Sequence, residues 1–96
     1  MELKCRWPVL GELCRCAESL HRLEVWVFGS MLRSDKPRDL DVLIIYNDPV
    51  DLATLRGMGW WKISAPQVDI IAMTPDEEHH YKFIEVTGAI RLLPQD

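Results

Sequence analysis

Two aspartates one residue apart, Asp39 and Asp41, lead into the apolar run Val42-Leu43-Ile44-Ile45. Strand side chains alternate between faces, so positions i and i+2 point the same way, and this spacing sets both carboxylates on one side of a strand's start. Carboxylates held together repel one another unless a cation lies between them. A hard divalent ion with oxygen ligands, Mg2+ above all, suits such a pair and commonly brings phosphates with it. A second feature lies just upstream, where the apolar run from Val25 to Phe28 ends at Gly29-Ser30. Glycine permits a sharp strand-to-helix bend, and the backbone N–H groups from Ser30 onward are then set to face an anion. Asp-x-Asp alone is common at solvated strand ends, and Gly-Ser alone marks ordinary turns. The order strand, Gly-Ser, short helix, Asp-x-Asp, strand is far more specific than either part.

The elements that must position these residues follow from periodicity. Pro8 suits a first helical turn, and Leu10, Leu13, Ala17 and Leu20 recur at helical spacing. This predicts an amphipathic helix over residues 8–22, with Glu12, Arg15, Glu18 and Arg22 on its wet side. Residues 24–28 read as a strand and residues 30–34 as a short helix, broken at Lys36-Pro37 because proline disfavours helical geometry in the residue before it. Asp39 to Tyr46 reads as a second strand whose unbroken Val-Leu-Ile-Ile stretch implies burial on both faces. A helix is expected from Pro49 or Val50 to Arg56, ended by Gly57-Met58-Gly59. Trp60 to Ile63 fits a short strand or an exposed loop equally well. Val68 to Met73 is the next strand. Thr74-Pro75-Asp76-Glu77 then supplies a threonine N-cap, a first-turn proline and a glutamate three after the cap, which predicts a helix to about Val86. Ala89 to Leu93 forms a last short strand or tail. Strands alternating with helices argue an α/β core.

Composition sets bounds on partners. Ninety-six residues at 48% apolar content suffice for one domain with one modest core, residues 1–96. A net charge of −4 argues against general affinity for nucleic acid, which needs basic surface. The cations Arg33, Lys36 and Arg38 nevertheless cluster between Ser30 and Asp39, where they could neutralise a polyphosphate. Three cysteines, an odd number, read as thiols in a reducing cytoplasm. Cys14-x-Cys16 lacks the usual zinc spacing, even with Cys5 or His21 as further ligands. No apolar stretch approaches membrane-spanning length. Glu77, Glu78, His79 and His80 read as a solvated helix start, with Glu77 occupied in capping, and Asp35, Asp48 and Asp51 as turn or helix-start residues.

The ordered residues Gly29, Ser30, Arg33, Asp39 and Asp41, with Asp69 in the segment QVDIIAM at 67–73, resemble the nucleotidyltransferase superfamily that includes DNA polymerase beta. Within it, the chain is similar to the small prokaryotic minimal nucleotidyltransferases over about residues 8–93. It departs from them in a shorter connection from Ser30 to Asp39, and in Leu32 and Ser34 where a small residue and a glycine commonly flank the arginine. The resemblance implies a small mixed β-sheet with flanking helices. It also implies a nucleotide site at Gly29, Ser30 and Arg33, and two Mg2+ ions held by Asp39, Asp41 and Asp69. Asp39 and Asp41 would bind both ions and the phosphates; Asp69 would bind the ion beside the acceptor hydroxyl or act as its base.

Many members of the superfamily carry a further lobe for the acceptor, for which 96 residues leave no room. The minimal members are typically encoded beside a helical HEPN protein, often as the antitoxin of a toxin–antitoxin pair, and some modify that partner with AMP. Trp7, Trp26, Trp60 and Trp61 suit a partner surface, although Trp26 in its strand reads better as core, Trp60 and Trp61 suit core and surface about equally, and those two could also stack on a base. Two readings of different classes stand. One is an enzyme that moves a nucleoside monophosphate from ATP or another NTP to a protein or nucleic-acid hydroxyl, above all on a partner protein such as a HEPN-type toxin. The other is a non-catalytic module of the same fold that neutralises or scaffolds a partner by contact.

Overall fold

A computed structural model describes residues 3–20, 23–59, 63 and 65–94, with the Cys5 side chain left out. Two helices, α1 (Leu3–Arg6) and α2 (Pro8–Glu18), precede strand β1 (Glu24–Phe28). A single 3₁₀ turn, Gly29–Leu32, and a loop lead to β2 (Asp39–Ile45). Helix α3 (Pro49–Gly57) is followed by β3 (Gln67–Met73), α4 (Pro75–Tyr81), α5 (Phe83–Thr87) and β4 (Ile90–Leu93). The strands form one mixed sheet in the order β3-β2-β1-β4. β1 is antiparallel to both β2 and β4, whereas β2 and β3 run parallel. A parallel pair needs a crossover connection, and α3 with the segment after it supplies one.

The alternation of side chains divides the sheet into two faces. On one, Val25, Val27, Leu40, Val42, Ile44 and Val68 pack with Leu10, Leu13, Cys14 and Ala17 of α2 and with Leu55 of α3. On the other, Leu43, Ile45 and Met73 form a smaller cluster with the half-buried Trp26, Phe28, Phe83 and Ile84. Central strand β2 is therefore buried on both sides from Val42 to Ile45, as its unbroken apolar run implies. Edge strand β3 differs: Gln67, Asp69 and Ile71 are exposed while Val68 and Met73 are buried.

Several expected boundaries move. α2 ends at Glu18 with Ser19 as its cap and so does not reach residue 22; residues 21–22, including His21, lie outside the described residues. α1, which carries no helical signature in the sequence, precedes it, and Leu3 of α1 and Trp7, the residue before α2, pack onto the main core. The expected short helix from Ser30 is the tighter 3₁₀ turn, closed by Ser30 O accepting from Arg33 N at 3.0 Å and Ser34 N at 2.8 Å. The expected helix from Pro75 to Val86 has its capping box, with Glu77 N donating to Thr74 Oγ1 and Thr74 N to Glu77 Oε1. It is nonetheless two helices, because Lys82 adopts a left-handed conformation (φ 52°, ψ 42°). That kink lets Phe83 and Ile84 turn onto the sheet, while Glu78 Oε2 accepts from Ile84 N at 3.1 Å and caps the new helix. Trp60, Trp61 and Lys62, left open between strand and loop, lie outside the described residues; Ile63 is 88% exposed.

Candidate active site

The two N-terminal ends of the parallel strands β2 and β3 lie side by side. Asp41 pairs in register with Asp69, and Asp39 with Gln67. Neighbouring strands are about 4.8 Å apart, so Asp41 and Asp69 are lateral neighbours on the same face, and Asp39 follows one step along it. This is the face of Leu43, Trp26 and Phe28, opposite α2 and α3. Across the antiparallel pair, the neighbour of Asp41 is Phe28, the last residue of β1. The chain then turns at Gly29, so Ser30 begins its turn at the acidic end of the sheet. Phe83 of α5 meets Phe28 edge-on, with ring centroids 5.0 Å apart, and forms an aromatic border to that end.

The carboxylates repel one another, and the effect is felt at Asp41. Burial, and then the negative charges of Asp69 and Asp39, raise the pKa of Asp41 above its ordinary value. Among the described residues, no ion pair reaches any of the three. Their mutual repulsion is what a divalent cation would relieve, and an all-oxygen donor set suits a hard ion such as Mg2+. By donor chemistry, and by lying along one face of neighbouring strands, the residues suit such an ion. Their side chains are not closed around it, since among the described residues no three Asp, Glu, His or Cys side chains converge on one point that could hold a metal.

Gly29 has φ +82°, the left-handed region that favours glycine. A Cβ built there would overlap Asp41 Oδ2 and stand 3.2 Å from Asp41 Cγ. Turn and carboxylate are thus packed directly together. Ser30 and Arg33 are both exposed, with Arg33 closing the turn, and Lys36 and Arg38 are exposed on the following loop. Asp35 is occupied by Arg6 of α1, which also lies 5.6 Å from the centre of the Trp7 ring.

The remaining sequence candidates take structural parts. Asp48 caps α3 by accepting from Val50 N at 2.9 Å. Cys14 is buried in the core, and burial raises its thiol pKa to about 11, which leaves it protonated. Trp26 is half-buried on the sheet, its Nε1 donating to Glu24 Oε1 at 2.9 Å. Phe28 and Phe83 were not among the sequence candidates. The one sequence signal for Phe28 is that it directly precedes Gly29; the antiparallel pairing of β1 with β2 then sets it beside Asp41, and Phe83 reaches the site only through the kink at Lys82.

The sequence-family model for the nucleotidyltransferase domain matches residues 10–92, nearly the whole chain, and the protein belongs to that family. No curated protein and no solved structure matches it. The expected architecture holds as well: a four-stranded mixed sheet with flanking helices, as the resemblance implied. Among the described residues, no helix is long and apolar enough to cross a membrane.

Proposed function

We propose that this nucleotidyltransferase moves AMP from ATP to a hydroxyl on a partner protein, as the antitoxin of a toxin–antitoxin pair with a HEPN-type toxin. The observation that carries the enzymatic part is the in-register pair Asp41–Asp69, with Asp39 beside it, set against the Gly29–Ser30 turn. The resemblance to minimal nucleotidyltransferases supports the partner and the antitoxin role.

Asp39 and Asp41 would hold Mg2+ on the phosphate side and Asp69 the acceptor side. Ions held there would supply charge neutralisation for the attacking and leaving oxygens. The turn at Ser30 presents backbone N–H groups to the phosphates, and Arg33 adds positive charge one turn on. The acceptor oxygen attacks the α-phosphorus, a new oxygen–phosphorus bond forms, and the bond to the bridging oxygen breaks with loss of pyrophosphate. The hydroxyl proton leaves to a base, a role open to Asp69. The protein's contribution is positioning and charge neutralisation, as is general for phosphoryl chemistry.

The contact-only reading draws on one observation, that the three carboxylates do not converge as they stand. Both readings meet in one experiment. The purified protein is mixed with its genomic neighbour, Mg2+ and labelled ATP, with Asp39→Ala/Asp41→Ala as control. Transfer of label to the neighbour, lowered about a hundredfold or more by the double substitution, is expected. Neutralisation of the neighbour by the double variant as effectively as by wild type, without label, would establish the contact-only module.

A further inference from the structure

We infer that Gly29 is a positioning residue for Asp41: the side chain it lacks is the space in which the Asp41 carboxylate sits. The three atoms nearest to a Cβ at Gly29 all belong to Asp41: Oδ2 in direct overlap, Cγ at 3.2 Å and Cβ at 3.4 Å. The overlap falls on the carboxylate tip and the approach to Cγ is tight, so a Cβ at Gly29 would displace the carboxylate from the position it holds against the turn. Its neighbours across the two strand pairs are Phe28 on one side and Asp69 on the other.

Gly88 provides the contrast. It too has a positive φ, +69°, but a Cβ there would meet nothing within 4 Å. Gly88 serves backbone conformation alone, whereas Gly29 serves conformation and space. One residue therefore sets two directions at once. Its φ aims the N–H groups of the Ser30 turn, and its missing Cβ lets Asp41 lie against that turn. The functional consequence rests on the reading of these carboxylates as the metal-holding end; the packing itself does not.

A double-mutant cycle separates the two roles, because backbone strain is common to both backgrounds and the overlap with Asp41 is not. Thermal midpoints are measured for wild type, Gly29→Ala, Asp41→Ala and the double variant, with Gly88→Ala as a strain-only control. Gly29→Ala is expected to lower the midpoint by roughly 4–8 °C more with Asp41 present than in the Asp41→Ala background. Mn2+ affinity without nucleotide, read from the electron paramagnetic resonance of the free ion, is expected to fall about tenfold in Gly29→Ala and to stay unchanged in Gly88→Ala. If Gly29→Ala fails to fold, recovery in the double variant supports the inference, and failure of both overturns it. Equal losses in the two backgrounds overturn it as well. Coupled midpoints with wild-type Mn2+ affinity would overturn the positioning role. Should wild type itself bind no Mn2+, the enzymatic reading falls, and the coupling in the midpoints decides the packing relation by itself.

Discussion

Asp41 is the residue at which burial and neighbouring negative charge work against the fold's stability. It is partly buried, faces two other carboxylates and is neutralised by no ion pair among the described residues. Its folded pKa is raised, so the native state holds its proton where the unfolded chain, with an ordinary value of about 3.9, has released it. Stability therefore falls as pH rises through the ordinary carboxylate range toward the folded pKa. Asp41→Asn is expected to unfold at a higher temperature than wild type at pH 7 in the presence of a chelator, and to lose that advantage near pH 3. Paired melting curves across this range check the sign. An equal midpoint at neutral pH would mean that the carboxylate is not held in place against repulsion. If Asp41 holds metal as proposed, the same substitution is also expected to abolish transfer.

At the scale of elements, the short helices around the second face depend on caps more than on length. α4 has seven residues and buries no side chain, so its hydrogen-bonded capping box is its main local support. Thr74→Ala is expected to cost about 1 kcal/mol, or several degrees in midpoint for a domain of this size. Thermal unfolding measures it, and an unchanged midpoint would show that α4 is held by its attachment to α5 alone. That attachment is specific: Glu78 caps the N-terminus of α5, and the Lys82 kink aims Phe83 at Phe28 beside the carboxylates. Loops on the other side are tied more loosely. Arg6 and Asp35 connect α1 to the Ser30–Asp39 loop, but Asp35 is largely exposed, and such pairs contribute at most about 1 kcal/mol.

For the whole molecule, the sheet does the organising, with a large core on one face and a small one on the other. Leu43 lies in the small cluster and is fully buried, in a strand flanked by partners on both sides. Leu43→Ala is expected to cost about 2–5 kcal/mol, by lost burial and the cavity left behind. Chemical denaturation gives the value, and a loss below about 1 kcal/mol would mean that α5 collapses freely onto the sheet. Since the carboxylates occupy the end of that same face, the cluster also fixes how Phe28 and Phe83 border them.

The sequence by itself determined the parts of this protein that depend on local chemistry. Alternation put Asp39 and Asp41 on one side of a strand, the unbroken run from Val42 to Ile45 marked that strand as central, and Thr74 to Glu77 announced a helix start. Each rests on neighbours within a few residues, where geometry is set by the covalent chain. Tertiary structure alone decided three further matters. Asp69 is placed opposite Asp41 by the parallel register of β2 and β3, which no local pattern specifies. The helix predicted through residue 86 breaks at Lys82 because Phe83 and Ile84 gain burial on the sheet, and tertiary packing outweighs helical propensity there. Gly29 read as a turn glycine from sequence; that its absent side chain makes room for Asp41 depends on two strands brought together in space, a contact the chain does not encode at either position alone.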